Sequence, residues 1–234
     1  MASEFVKIIA TIGPKSFSFS VLKKMKKEGA NIGRINTKYG CEKEWNQTIN
    51  YLKKLNFEIM VDIKGEKVLD WVNTKKIDYL ALSFASSKKQ INNIRNKIKD
   101  SSVKIISKIE SKNGVKNIDQ IILASDGLMV ARGDLSKNIS FEKVPYFKRL
   151  IIKRCKEEKK FVIVATEMLI SMVSLKVPKI SEVDDVFEAV VDNADAVMLS
   201  EETTIGKHPP IVVKTMRRIV KSAENYKRKF AICN

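Results

Sequence analysis

The chain alternates two hydrophobic patterns. Short runs rich in β-branched residues are separated by longer segments whose apolar positions recur at helical spacing. The short runs predict strands over residues 6–11, 30–35, 58–63, 79–84, 103–109, 127–131, 161–165 and 196–199. The longer segments predict helices over residues 18–28, 42–55, 88–98, 115–124, 142–158, 181–191 and 209–226. In the second of these, Trp45, Ile49, Leu52 and Leu55 fall on one face. Ser181 ahead of Glu182 and Asp184 predicts an N-cap with acids in the first turn. Pro209 and Pro210 suit the start of the last helix. The connection over residues 64–78 is the exception, with at most a helical fragment near 70–75.

Eight strand–helix alternations predict a parallel sheet. Right-handed crossovers and a length of 234 residues, near the roughly 250 of an eight-stranded α/β barrel, favour closure into a single (β/α)8 (TIM) barrel spanning residues 1–234. An open doubly wound sheet is the alternative. No GxGxxG follows the first strand, which argues against its dinucleotide-binding version. No long linker, low-complexity segment or tandem repeat interrupts the pattern.

Composition narrows the function classes. Hydrophobic residues make up 44%, enough for a sizeable core, so disorder is excluded as the main state. No apolar run approaches the roughly 18 residues of a membrane span. Lys7 interrupts the apolar N-terminal stretch and no small-residue cleavage site follows, so no signal peptide is expected. Cys41, Cys155 and Cys233 are far apart, odd in number and without CxxC spacing. That excludes a disulfide framework and a zinc ribbon, and it favours a reducing, cytoplasmic setting. The net charge of +17 comes from 36 Lys and 8 Arg against 27 acids. Lys, Ile and Asn share A/T-rich codons, so genome composition accounts for the excess. The lysines are scattered over polar helix faces, as at Lys23, Lys24, Lys53, Lys54, Lys159 and Lys160. No stripe of arginines and aromatics appears, and no specific nucleic-acid binding is expected.

In such a barrel, reacting groups sit where strands run out into loops. Those positions hold Arg34 and Asn36, Asp62 and Lys64, Ser83, Lys108 and Glu110, Arg132 to Asp134, Thr166 and Glu167, and Ser200 and Glu202. Singly, each reads as a cap or loop residue; seven ends converging on one face read as a site. Glu110 and Asp134 have the chemistry of a hard-cation site, since Mg²⁺ takes one or two carboxylates and completes its shell with water and substrate oxygens. Lys108 lies two residues before Glu110 and points to the same side of the strand, where an ammonium suits a developing enolate or a phosphoryl group. Gly133 permits close backbone approach, and a short helix near Asp134 aims N–H groups at an anion.

These residues carry a resemblance to a known family. The segments Lys7 to Ser16 (KIIATIGPKS), Asp62 to Gly65 (DIKG), Ala81 to Phe84 (ALSF), Ile105 to Glu110 (IISKIE), Ser125 to Leu135 (SDGLMVARGDL), Ala165 to Leu169 (ATEML) and Val197 to Thr203 (VMLSEET) resemble pyruvate kinase. They follow the family's order over nearly the whole chain. The resemblance implies Mg²⁺ or Mn²⁺ held by Glu110 and Asp134, with Lys108 as the catalytic lysine. It implies that Thr166 and the backbone of Gly133 and Asp134 hold the substrate carboxylate, and that Arg34 holds the phosphate of phosphoenolpyruvate. Asn36 and Asp62 match ligands of the family's potassium ion. A homodimer through the family's barrel-to-barrel contact is compatible with the chain.

The departures shape the expected function. The family inserts a lid domain where this chain has only residues 64–78, and it carries a C-terminal domain with no counterpart before Asn234. Lys38 and Tyr39 replace a serine and a histidine; Leu69 and Ser86 replace arginines on the nucleotide side; Glu167 replaces a glutamine. An ammonium at Lys38 can take the place of K⁺, and Lys67 stands where potassium-independent members carry lysine, so indifference to K⁺ is expected. Residues for the metal and the 2-oxo acid survive, whereas several for the nucleotide do not. Three readings follow: a minimal pyruvate kinase; a Mg²⁺-dependent lyase, aldolase or decarboxylase using a pyruvate enolate, with Glu167 as general acid or base; and a non-catalytic barrel. His208, the only histidine, reads as a loop residue, and Met129, Met168 and Met198 read as core.

Overall fold

The computed structural model describes residues 5–231; Cys233 lies outside them. Its eight strands are β1 (Lys7–Thr11), β2 (Ile32–Asn36), β3 (Glu58–Ile63), β4 (Tyr79–Leu82), β5 (Lys104–Ile109), β6 (Gly127–Ala131), β7 (Phe161–Ala165) and β8 (Ala196–Leu199). Each pairs in parallel with the next, and β8 closes on β1. The observed architecture is the expected (β/α)8 barrel. All eight strands fall at the expected places; β3, β6, β7 and β8 have the expected ends.

Alternation along each strand divides the core in two. Ile9, Ile32, Met60, Ala81, Ile106, Met129, Ile163 and Met198 face inward and fill the barrel. Their neighbours, such as Ile8, Val61, Leu80, Ile105, Val130, Val164 and Val197, pack beneath the helices. The N-terminal end of the interior is closed by polar groups: Lys7 and the Tyr79 hydroxyl both donate to the Glu58 carboxylate, at 2.7 and 2.6 Å. β6 and β7 approach so closely at Gly127 that a Cβ there would stand 2.5 Å from the Phe161 carbonyl oxygen.

The outer ring is α1 (Phe19–Lys27), α2 (Glu42–Lys54), α3 (Leu69–Val72), α4 (Lys88–Lys97), α5 (Lys112–Lys116), α6 (Ile118–Ala124), α7 (Arg132–Asn138), α8 (Val144–Glu157), α9 (Ile180–Val191), α10 (Glu201–Thr204) and α11 (Pro209–Ala231). Residues 115–124 do not form one helix: the chain breaks at Asn117 between α5 and α6. Nor is Ser181 the N-cap of α9. The helix starts at Ile180, and the Glu182 carboxylate reaches back to accept the Lys179 N–H at 3.0 Å. That carboxylate also accepts the Ser171 N–H at 2.7 Å, so it ties the 3₁₀ turn Ile170–Val173 to the helix start. This turn and α10 have no periodic signal, because both are shorter than two turns of α-helix. Between β3 and β4 the chain makes only α3. Trp71 of that helix meets Trp45 of α2 edge to face at 5.0 Å and donates to Asn46 at 3.0 Å. No helix among the described residues is long and apolar enough to cross a membrane.

Candidate active site

The inward parity that puts Ile32, Met60 and Ile106 in the barrel puts Arg34, Asp62 and Lys108 two residues further on, at its C-terminal mouth. There they meet. Arg34 grips one Asp62 oxygen with Nε and Nη2, at 3.0 and 2.7 Å. Its Nη1 donates to the Thr11 hydroxyl at 2.8 Å, and that hydroxyl donates in turn to the Leu199 carbonyl at 2.8 Å. Lys108 Nζ lies 3.1 Å from Asp62 and 3.1 Å from Glu110, and it donates to the Ser83 hydroxyl at 2.9 Å. Arg34, Asp62, Lys108 and Glu110 are all buried, with Asp62 only 2% exposed. Burial alone would raise the Asp62 carboxyl; the Arg34 guanidinium and Lys108 ammonium beside it overcome burial and hold it below the usual carboxylate range. The other oxygen of Glu110 accepts the Phe84 N–H at 2.6 Å, with Phe84 in the left-handed region at φ 52°.

Gly133, Asp134 and Thr166 form a second group. The Thr166 hydroxyl accepts the Gly133 N–H at 2.8 Å. A Cβ at Gly133 would stand 3.5 Å from that hydroxyl and 4.0 Å from Oε1 of Glu167, so glycine leaves a methyl-sized recess between them. Asp134, half exposed, pairs with Lys137 at 3.1 Å. Thr166 and Glu167 are consecutive non-glycine residues in the left-handed region, at φ 69° and 55°. Each such residue costs on the order of 1–3 kcal/mol, and the strain persists only where surroundings over-determine it. Here Arg132 is the surroundings: its guanidinium donates to the carbonyls of Ala165 and Thr166, contacts the Met168 sulfur, and is paired on its far side with Asp185 of α9.

No hydrogen bond or ion pair joins the two groups among the described residues, and no cluster there brings three or more His, Cys, Asp or Glu together as a metal site. Glu110, whose two oxygens face Lys108 and the Phe84 N–H, and Asp134, paired with Lys137, are carboxylate donors of the type that Mg²⁺ or Mn²⁺ takes beside water and substrate oxygens. The expected place of Lys38 is not the one observed. It lies beyond the end of β2 in an exposed turn, where Asn36 Oδ1 accepts its N–H at 3.1 Å. Its ammonium sits 5.4 Å from the Tyr39 ring centroid and forms no ion pair with Asp62. The cations against Asp62 are Arg34 and Lys108. Sequence reading missed Thr11, although a polar residue at the inward parity of β1 was a usable signal. The pairing of Arg132 with Asp185, 53 residues apart, shows no signal before folding. A groove of about 620 Å³ beside α5 and α8, lined by Lys112, Lys116, Lys137 and Lys143, holds none of the expected site residues.

Comparison with known proteins fits this geometry. The family described as pyruvate kinase, barrel domain, matches residues 4–68 and 59–213. Pyruvate kinase of Mycoplasma pneumoniae is 40% identical over 207 residues, covering 83% of this chain and 41% of the relative. That of Thermococcus litoralis is 39% identical over 163 residues, covering 69% and 34%. That of Geobacillus stearothermophilus is 45% identical over 151 residues, covering 63% and 26%. The chain thus spans about a quarter to two fifths of the length of these relatives. With the family's barrel matched from end to end of the eight strands, and the residues of its signature segments at the barrel mouth, the chain belongs to the pyruvate kinase family.

Proposed function

We propose that this barrel is a minimal pyruvate kinase-like enzyme: it binds phosphoenolpyruvate or pyruvate at the strand C-termini with Mg²⁺ or Mn²⁺ and transfers a phosphoryl group between phosphoenolpyruvate and ADP. The observation that carries the reading is buried Lys108, held 3.1 Å from both Asp62 and Glu110 at the mouth of the barrel. Glu110 and Asp134 would hold the metal, which when bound neutralises charge on the substrate oxygens. Lys108 would steady the transferring phosphoryl or the enolate oxygen, and its two carboxylate neighbours hold the ammonium in place. Arg34, already rigid against Asp62 and Thr11, would hold the phosphate. The recess at Gly133, with the Thr166 hydroxyl on its wall, would take the substrate carboxylate. Catalysis of this kind rests on positioning and charge neutralisation. The 64–78 connection stands in place of the family's lid, a reading supported by the two matched stretches meeting at residues 59–68. Asp62 is already held between two cations, which supports indifference to K⁺. A homodimer and a cytoplasmic location belong to the same proposal.

A second reading is favoured by one observation. Leu69 is buried in α3, and Ser86 is tied by its N–H to Gln90 at 3.0 Å, so neither offers a nucleotide phosphate the arginine expected there. Glu167 meanwhile places an exposed carboxylate beside the Gly133 recess. A Mg²⁺-dependent lyase, aldolase or decarboxylase working through a pyruvate enolate would use these atoms without nucleotide. One experiment separates the readings: phosphoenolpyruvate, ADP and Mg²⁺ followed by ³¹P NMR, beside solvent deuterium uptake into pyruvate C3. ATP formation supports the kinase. Deuterium uptake without ATP defeats it and supports the lyase. Neither signal, with Lys108→Ala indistinguishable, makes the barrel non-catalytic.

A further inference from the structure

We infer that Arg132 and Asp185 form a brace that sets the position of the Thr166 hydroxyl, and so act as positioning residues for the carboxylate recess; this rests on the reading of that recess given above. The turn after β7 has two consecutive non-glycine residues at positive φ, which the local sequence does not favour. Three contacts converge on it from one guanidinium: the carbonyls of Ala165 and Thr166 and the sulfur of Met168. A fourth, the carboxylate of Asp185, holds the guanidinium from behind. Arg132 is the first residue of α7 and Asp185 stands on α9, so the brace fastens the turn after β7 to the elements on either side of it. It also fixes both partners of one hydrogen bond. The residue after Arg132 is Gly133, whose N–H donates to the Thr166 hydroxyl.

The planar, five-donor fork matters. Lysine would keep the charge, but its single ammonium has no fixed geometry with which to span two carbonyls and a carboxylate. Arg132→Lys is therefore expected to behave as a loss. Asp185 meets Arg132 from α9, so Asp185→Asn tests the brace through the guanidinium.

The test has two readouts on wild type, Arg132→Lys and Asp185→Asn. The first needs no ligand: hydrogen exchange of the Gly133 amide by NMR, with the Met129 and Val130 amides of β6 as internal reference. About tenfold faster exchange at Gly133, with the reference amides unchanged, is expected in both variants, as for opening of one local segment. Unchanged Gly133 exchange overturns the brace, whether or not wild type binds any ligand. The second readout is oxalate binding in the presence of Mn²⁺ by calorimetry, where both variants should lose about tenfold in affinity. Faster exchange with undiminished oxalate affinity overturns the positioning role. If wild type itself binds no oxalate, it is the assignment of the recess that fails, and the exchange data alone decide the brace. Should Arg132→Lys not fold, Asp185→Asn, at a partly exposed side chain, gives the answer.

Discussion

Asp62 is the residue on which the site's electrostatics turn. It is buried with Arg34 and Lys108, so removing its charge leaves the Arg34 guanidinium in a desolvated place without the carboxylate that pairs it, and leaves Lys108 with Glu110 alone. Breaking a buried pair in this way costs on the order of 3–5 kcal/mol, and Asp62→Asn should lower unfolding free energy in urea by about that much at pH 7. The pH dependence has a definite sign. The folded carboxyl is held below its ordinary value, so the unfolded chain binds the extra proton. The stabilisation is full above the ordinary carboxylate pKa of about 3.9 and is lost as pH falls through that value toward the lower folded one. The gap between wild type and Asp62→Asn should therefore narrow between pH 6 and pH 3; a gap that stays constant contradicts the assignment. Two glycines make a matching contrast. At Gly127 an added Cβ meets the Phe161 carbonyl oxygen at 2.5 Å, a backbone atom that cannot turn aside, so Gly127→Ala should destabilise by about 2 kcal/mol or more. At Gly133 the nearest atom is 3.5 Å away, so Gly133→Ala should keep its melting temperature yet lose at least tenfold in Mn²⁺–oxalate affinity by calorimetry, because the methyl fills the recess.

Among the elements, the connection from β3 to β4 decides most. A four-residue helix has no stability of its own. α3 persists because Leu69, Trp71 and Val72 are buried and because Trp71 is fixed to α2 by its ring contact and its bond to Asn46. Trp45 is anchored in turn by its donation to the Tyr39 carbonyl at 2.8 Å. Trp71→Ala removes a large buried ring and should cost on the order of 3–5 kcal/mol in urea unfolding. It should also make residues 64–78 more sensitive to limited proteolysis than they are in the wild type. Stability unchanged within about 1 kcal/mol would show that α3 is a loosely held loop instead. The elements at the mouth follow the same logic. The 3₁₀ turn Ile170–Val173 and α10 are short and hold their places through Glu182 and Glu202, whose carboxylates accept the N–H groups of Ser171 and Leu169. Burial pushes the Glu202 carboxyl above its ordinary range, and the N–H donors at Leu169 and Ser200 offset part of that.

For the whole molecule, closure of the barrel removes every sheet edge and leaves a strongly basic exterior. Exposed lysines of this number attract any polyanion, and a purely Coulombic attraction has a recognisable signature. Binding to duplex DNA should be independent of sequence and should fall about a hundredfold or more between 50 and 200 mM salt. A salt-resistant preference for one sequence, read by fluorescence anisotropy, would make the charge functional after all. Both described cysteines are free; Cys41 is exposed and Cys155 is buried, where burial pushes its thiol up to about 12 and leaves it unreactive.

Much of this was legible before folding. Short, near-continuous apolar runs rich in β-branched residues, bounded by helical segments, specified eight strands, because side chains of a parallel barrel strand must be apolar on both faces. The same parity put Arg34, Asp62 and Lys108 on one side, since two residues along a strand is one full period. Only the tertiary structure decided the rest. Lys38, four residues past Arg34, turned out to lie outside the site, because it follows the end of β2 and its turn is capped by Asn36. Thr11 joined Arg34 only through the β1–β2 register. The Arg132–Asp185 pair, and the positive φ at Thr166 and Glu167 that it holds, depend on α7, β7 and α9 meeting in space. Periodicity records how each segment buries its own surface; it does not record which polar groups from distant segments will satisfy one another once those surfaces are buried.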